Sequence, residues 1–225
     1  MAILLAANAV GATPTAPAAA PAPKPARTAR IVPPAKRVLS TASAAAVDAN
    51  QPWAASLAAV DVLNRNTNAT AAIRLYDAHG VLDRGEARAF VRIAGGDEDE
   101  RLDIRVVQLA IRAAYHFNGA AIRIISATRP GAKGKHGSGE ALDFSLEGVT
   151  APMLAAYLRG LPRAGVGIYT HPKTQYVHLD VREHSYHWID ASPPGVTWRE
   201  QLLSDPKRAA RDGSWFPATD LPEHG

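Results

Sequence analysis

Cysteine is absent from the 225-residue chain. Its absence excludes disulfide bonds and every zinc site that depends on cysteine thiolates. No apolar run approaches the roughly 18 residues that a membrane-spanning helix needs, so no membrane span is predicted. Aromatic residues make up only 6% of the chain, and none occurs before Trp53. The first fifty residues therefore lack the aromatic side chains that contribute most to a core.

Residues 1–50 are about half alanine and proline. This composition buries too little apolar surface to offset the entropy of ordering, and it predicts a disordered, semi-extended tether. The opening stretch MAILLAANA resembles the end of a signal peptide with an A-x-A cleavage site, so we expect export to the periplasm or cell envelope. We place a folded domain at 51–190 and an irregular extension at 191–225.

The formal charge of +4 belongs to the tether, which carries five basic residues and one acidic residue. The remainder of the chain is neutral overall. Nucleic-acid-binding proteins carry a basic patch on the folded part, so no nucleic-acid partner is predicted. We expect a monomer.

Hydrophobic periodicity predicts an α+β fold. Period-two strands are expected at 57–64, 70–76, 121–127 and 141–146, and in a hairpin that joins GVGIYTH to QYVHLDVR. Helices are expected after Asp83, Asp103 and Thr150, which are favoured N-cap residues. Strands and helices in this order favour a small, largely antiparallel sheet with helices packed on it.

The stretch KHGSGEALDF, residues 135–144, contains the first candidate metal ligands. His136 and Asp143 are separated by glycines that permit a tight loop, and alternation in ALDFSL turns Asp143 away from the apolar face. In QYVHLDVR the same alternation places His178 and Asp180 together on one face. Two imidazoles and one carboxylate suit Zn²⁺ with an open fourth position. The alternative is a solvated histidine in a simple turn.

The pattern H-x-x-G-x-A-x-D, followed later by YVHLD, resembles the signature of the LAS zinc peptidases. This family includes D-Ala-D-Ala carboxypeptidases and hedgehog-type domains. The chain most resembles the bacterial murein endopeptidase K branch, through the segments LNRNTNATAAIRLYDAHGVL, ISATR and GVGIY and a V-H-x-D strand. The resemblance covers roughly 58–190. It implies zinc in a cleft on the sheet and hydrolysis of peptidoglycan stem or cross-link peptides, by a D,D- or L,D-carboxypeptidase or an endopeptidase.

The resemblance implies that His136, Asp143 and His178 bind the zinc ion. It also implies that Arg129, just before the loop, binds a substrate carbonyl or stabilises the oxyanion, as acyl transfer requires. The alternative for Arg129 is an ordinary turn arginine before a proline. The chain departs from the family at Gly134, where a serine is common two residues before the first histidine.

The general base is the least defined residue of the predicted site. Relatives with a carboxylate three residues before the last histidine have a base there, whereas this chain has Gln175. Asp180 is the first choice as base, and its alternative role is to orient His178. Further candidates for a base or for the rim of the site are His171, His184 and His187. Two other interpretations stay open: a zinc-containing wall-binding module that does not cleave, and a structural domain that carries the motif by coincidence.

Overall fold

The computed structural model describes residues 51–95, 102–196 and 200–222. The predicted tether, residues 1–50, lies outside these ranges. Within them the helices are α1 (Pro52–Ser56), α2 (Arg84–Ile93), α3 (Ile104–His116), α4 (Ala151–Arg159) and α5 (Arg208–Gly213), with a 3-10 turn at Pro217–Asp220. The strands are β1 (Val60–Asn64), β2 (Thr70–Ile73), β3 (Ile122–Ser126), β4 (Ala141–Leu146), β5 (Ala164–Tyr169), β6 (Tyr176–Val181), β7 (Tyr186–Asp190) and β8 (Gln201–Leu202).

The strands form one open sheet in the order β2-β1-β3-β4-β6-β5-β7-β8. The pairs β1–β3 and β5–β7 are parallel, and the other five neighbouring pairs are antiparallel. The predicted α+β class and the largely antiparallel sheet are therefore confirmed. At eight strands, the sheet is wider than the small sheet that the sequence predicted.

The hydrophobic core lies between one face of this sheet and the helices α2, α3 and α4. The inward residues of the central strands are fully or nearly fully buried, and they include Leu142, Phe144, Val166, Val177 and Leu179. Because side chains alternate along a strand, the residues between them project from the opposite face. That opposite face carries the polar side chains of the candidate site. None of the described helices is long and apolar enough to cross a membrane.

The three predicted N-caps are confirmed. The Asp83 carboxylate accepts hydrogen bonds from the backbone N–H groups of Gly85 and Glu86, and Asp103 accepts one from Arg105. The Thr150 hydroxyl accepts one from the N–H of Met153. Each cap satisfies a backbone donor that would otherwise lack a partner in the first turn, so local sequence fixes where these helices begin.

Strand β7 is absent from the sequence prediction. Its residues pair in parallel with β5, from Gly165 opposite Tyr186 to Tyr169 opposite Asp190. The aromatic residues Tyr186 and Trp188 stand at alternate positions, a pattern that strands favour and that could have revealed it. The segment after residue 190, predicted as an irregular extension, contributes β8 to the sheet and then forms α5 and the 3-10 turn.

An ion pair between Arg105 and Asp220, largely buried, joins the 3-10 turn to α3. The Arg105 Nε atom lies 2.7 Å from Asp220 Oδ2, and the two side chains are 13% and 4% exposed. The same guanidinium donates to the carbonyl oxygens of Pro162 and Arg163. The Trp215 indole N–H donates to Asp220 at 3.0 Å. The described residues from Trp215 to Asp220 are thus part of the folded structure.

Candidate metal centre

Two adjacent strands and one loop bring the predicted ligands together. Asp143 on β4 lies directly opposite His178 on β6. His136 comes from the loop between β3 and β4. In this loop Gly139 has a positive φ of 72°, and a Cβ on Gly137 would overlap the carbonyl oxygen of Ala132. The glycines are therefore needed for the loop to return His136 over the sheet.

The three ligand atoms form a nearly equilateral triangle. His136 Nε2 lies 3.2 Å from His178 Nδ1 and 3.3 Å from Asp143 Oδ1. His178 Nδ1 lies 2.9 Å from the same Asp143 oxygen. Asp143 and His178 are buried, and His136 is partly buried. These three side chains could hold one metal ion.

His136 is oriented by the backbone. Its Nδ1 atom lies 2.5 Å from the carbonyl oxygen of Ala127. A carbonyl oxygen can only accept, so Nδ1 carries a proton, and the Nε2 atom on the other side of the ring faces Asp143 and His178. A hydrogen bond of this kind commonly fixes the tautomer of a metal-binding histidine.

His178 lies between two carboxylates. Its Nδ1 faces Asp143, and its Nε2 lies 3.1 Å from Asp180 Oδ2. Burial opposes the charged imidazolium, but the hydrogen bonds to Asp143 and Asp180 prevail and raise the pKa of His178 to about 9. Burial also opposes the Asp143 carboxylate, yet hydrogen bonds from His136 and His178 lower its pKa to about 2. A metal ion would displace the proton on Nδ1, while Asp180 keeps the one on Nε2.

Asp180 is fully buried, and both of its oxygens are occupied. Arg182 donates to Oδ1 through Nε at 2.5 Å and to Oδ2 through its terminal nitrogen at 2.6 Å. Oδ2 also accepts from His178 on the side of the ring away from Asp143. A fully buried carboxylate that is bonded to the histidine and to an arginine is placed to orient the histidine. The geometry therefore favours the orienting role over that of general base.

Arg129 lies at the edge of the ligand group. One terminal nitrogen donates to Asp143 Oδ2 at 3.0 Å, and Nε donates to the Ser126 hydroxyl at 2.9 Å. The side chain is still 53% exposed. These contacts fix the guanidinium beside the ligands while leaving part of it open to a bound molecule.

The three additional candidate histidines do not belong to the ligand group. His171 lies in the turn after β5, where its Nδ1 accepts from the N–H of Lys173. His184 is exposed between β6 and β7. His187 is buried on β7, with Nδ1 3.4 Å from Asp205 Oδ2, and pairs with Val166 of the core face.

The environment of His187 predicts a pH-dependent stability. Burial and the charge of Arg211 lower the pKa of His187 to about 4, below the roughly 6.5 of an unfolded histidine. The unfolded state therefore binds the proton more readily, and the stability that neutral His187 contributes is lost as pH falls from about 6.5 towards 4. The urea concentration at the unfolding midpoint should decrease between pH 7 and pH 5, and the decrease should be smaller in His187→Gln than in the wild type. Equal falls in the two proteins would contradict this assignment.

Several residues beside the ligands had no role in the sequence prediction. Trp188 lies against His178, with the ring centroids 5.0 Å apart. The rings of Tyr169 and Tyr176 are 4.4 Å apart on the same face of the sheet. Burial and the Asp143 charge raise the pKa of Tyr176 to about 12, so its hydroxyl stays protonated at neutral pH. Alternation in QYVHLDVR placed Tyr176 on this face without indicating its use.

Comparison with known proteins adds no relative: no family model, curated protein or solved structure matches this chain. The resemblance to zinc peptidases therefore stays a prediction from the motif residues.

Proposed function

We propose that this protein is a zinc-dependent hydrolase of peptidoglycan stem or cross-link peptides. The observation that carries the proposal is the triangle of His136 Nε2, Asp143 Oδ1 and His178 Nδ1, with sides of 2.9 to 3.3 Å. Ligands about 2.0–2.1 Å from a tetrahedral zinc ion lie about 3.3 Å apart, so these atoms need little movement to bind one. Three protein ligands also leave the fourth position open, as catalytic zinc sites require.

Zinc in this position would supply a Lewis acid that polarises a carbonyl group and lowers the pKa of water. Arg129 would stabilise the negative charge that develops on the carbonyl oxygen, because its guanidinium is fixed beside the ligand Asp143 and remains half exposed. The Tyr176 hydroxyl, protonated at neutral pH, would donate a hydrogen bond to the substrate or to the departing group.

The peptidoglycan substrate is supported by the motif resemblance and by the export-like start of the chain. An Ala/Pro-rich tether before residue 51 would let a domain reach into a polymer mesh. We therefore propose that the protein acts in the periplasm or cell envelope on peptides of the wall.

Digestion of purified muropeptides tests the proposed activity. Zinc-loaded protein is expected to release peptide fragments, chelator-treated protein to release none, and re-addition of zinc to restore cleavage. The products are separated by chromatography and identified by mass. Cleavage that survives removal of the metal would contradict the proposal.

A zinc-containing wall-binding module is the second candidate, and one observation favours it. Both oxygens of Asp180 are occupied by His178 and Arg182, and the position three residues before His178 holds the neutral Gln175. A module of this kind would sediment with intact peptidoglycan but leave the masses of muropeptides unchanged. A hydrolase, by contrast, would convert the muropeptides into fragments of lower mass.

The role of Asp180 can be tested separately. Asp180→Asn is expected to lower zinc affinity by about 10- to 100-fold, the usual cost of losing an outer partner of a metal ligand. The exposed Asp61→Asn on β1 is the matched control and should bind zinc as the wild type does. Affinity is measured by competition with a chromophoric chelator. Unchanged zinc affinity with loss of turnover would instead identify Asp180 as the general base.

A further inference from the structure

A glycine separates His178 from Trp188 in the sheet. Gly167 at the centre of β5 pairs with His178 of β6 on one side and with Trp188 of β7 on the other. Residues paired across neighbouring strands project from the same face of a sheet. The missing side chain at Gly167 therefore leaves a gap between the metal ligand and the tryptophan.

The Trp188 indole fills that gap. A Cβ atom on Gly167 would overlap three atoms of the indole ring, Cε2, Cζ2 and Nε1. The indole then reaches the His178 ring, with centroids 5.0 Å apart and an interplanar angle of 54°. Trp188 is only 4% exposed, and its buried N–H finds no hydrogen-bond partner among the described residues. Within this part of the chain, packing in the gap at Gly167 places the indole against His178.

Arg182 contacts both Trp188 and Asp180, the two residues that pack or bond against His178. Its guanidinium carbon lies 5.7 Å from the Trp188 ring centroid and 4.8 Å from that of Tyr186. The guanidinium also donates twice to Asp180, which accepts from His178 Nε2. His178 is thus held at one edge by Asp180 and on its ring side by Trp188, and Arg182 contacts both supports.

We propose that Trp188 is a positioning residue for the metal site, seated through the gap at Gly167. It fixes the rotation of the His178 ring so that Nδ1 points at Asp143 and His136. The inference rests on the proposed function only in requiring that the three ligands bind a metal ion. It adds a residue pair, Gly167 and Trp188, whose effect on the metal can be measured without any substrate.

Zinc affinity of the full-length protein tests the proposal. Trp188→Ala is expected to bind zinc about 10-fold or more weakly, as when other outer supports of a metal ligand are lost. Trp188→Phe keeps an aromatic ring, so its zinc affinity should decrease less than that of Trp188→Ala. Gly167→Ala should weaken binding as Trp188→Ala does, because the new Cβ expels the indole. Trp53→Phe, a tryptophan packed on Tyr76, is the matched control and should bind as the wild type does.

A double-mutant cycle separates positioning from general damage to the fold. In Trp188→Ala the three indole atoms that a Cβ at Gly167 would meet are gone, so Gly167→Ala should weaken binding less than about twofold further. Cobalt(II) replaces zinc as a spectroscopic probe, and its visible absorption reports ligand geometry. The spectrum should change in Trp188→Ala and in Gly167→Ala. Cobalt should also quench a part of the tryptophan fluorescence that disappears in Trp188→Phe.

Two results would overturn the inference, and only the second of them would also contradict the proposed function. If the wild type binds zinc and folded Trp188→Ala binds it equally tightly with an unchanged cobalt spectrum, Trp188 does not position His178, although the zinc site stands. If the wild type binds neither zinc nor cobalt, both this inference and the proposed function are wrong.

Discussion

Replacing His136 with alanine is expected to abolish zinc-dependent hydrolysis and to leave the fold intact. The loss of zinc affinity should exceed the roughly 100-fold that loss of an outer support costs, because a direct ligand is removed. The fold should persist because His136 lies in the loop between β3 and β4, outside the hydrophobic core. Among the described residues, the His136 imidazole contacts the carbonyl oxygen of Ala127 and the other two ligands only. Asp143 is a less selective target, since it is 2% exposed on the central strand β4.

Zinc affinity, muropeptide cleavage and the urea midpoint are measured together on His136→Ala. His171→Ala is the matched control, because His171 lies in a turn outside the ligand group and should retain affinity and cleavage. Hydrolysis retained by metal-free His136→Ala would contradict the proposed function.

Replacing Asp220 with asparagine is expected to lower the free energy of unfolding by about 3–5 kcal/mol, the usual cost of breaking a buried ion pair. Asp220 is 3% exposed and accepts from Arg105 and Trp215. The change removes the counter-charge of the Arg105 guanidinium, whose side chain is 13% exposed. Two carbonyl oxygens still accept from this guanidinium, which should keep the loss within that range.

Urea unfolding of Asp220→Asn checks this expectation. The matched control is Glu147→Gln, which breaks the pair with Arg123, where the side chains are 59% and 39% exposed. Exposed pairs contribute about 0–1 kcal/mol, so this control should unfold near the wild-type midpoint. Equal losses in the two variants would show that the end of the chain does not stabilise the domain.

Local patterns predicted a large part of this structure. N-cap residues fix the starts of α2, α3 and α4, and strict alternation in ALDFSL fixes both the bounds of β4 and the face from which Asp143 projects. The two-residue period of QYVHLDVR likewise placed His178 and Asp180 on one face. These features depend on short-range backbone geometry, which a sequence displays directly.

Long-range pairing accounts for what the sequence left unpredicted. β7 joins the sheet in parallel with β5. The need for glycine at position 167 of GVGIY follows from this pairing, because the Trp188 indole occupies the space of a Cβ there. The orienting position of Asp180 depends on Arg182, whose side chain folds back onto it from two residues away. Likewise, Asp220 forms an ion pair with Arg105, although 115 positions separate the two residues in the sequence. A local period carries no signal for such contacts.

Elemental analysis of the purified full-length protein, beside His136→Ala, measures directly whether the three ligands hold a metal ion. We expect one zinc ion per wild-type chain, lost on chelation, regained on adding zinc back, and absent from the variant. A wild-type chain that holds no zinc, and takes up none when it is supplied, would contradict the proposed zinc site and leave His136, Asp143 and His178 as a polar cluster beside a turn.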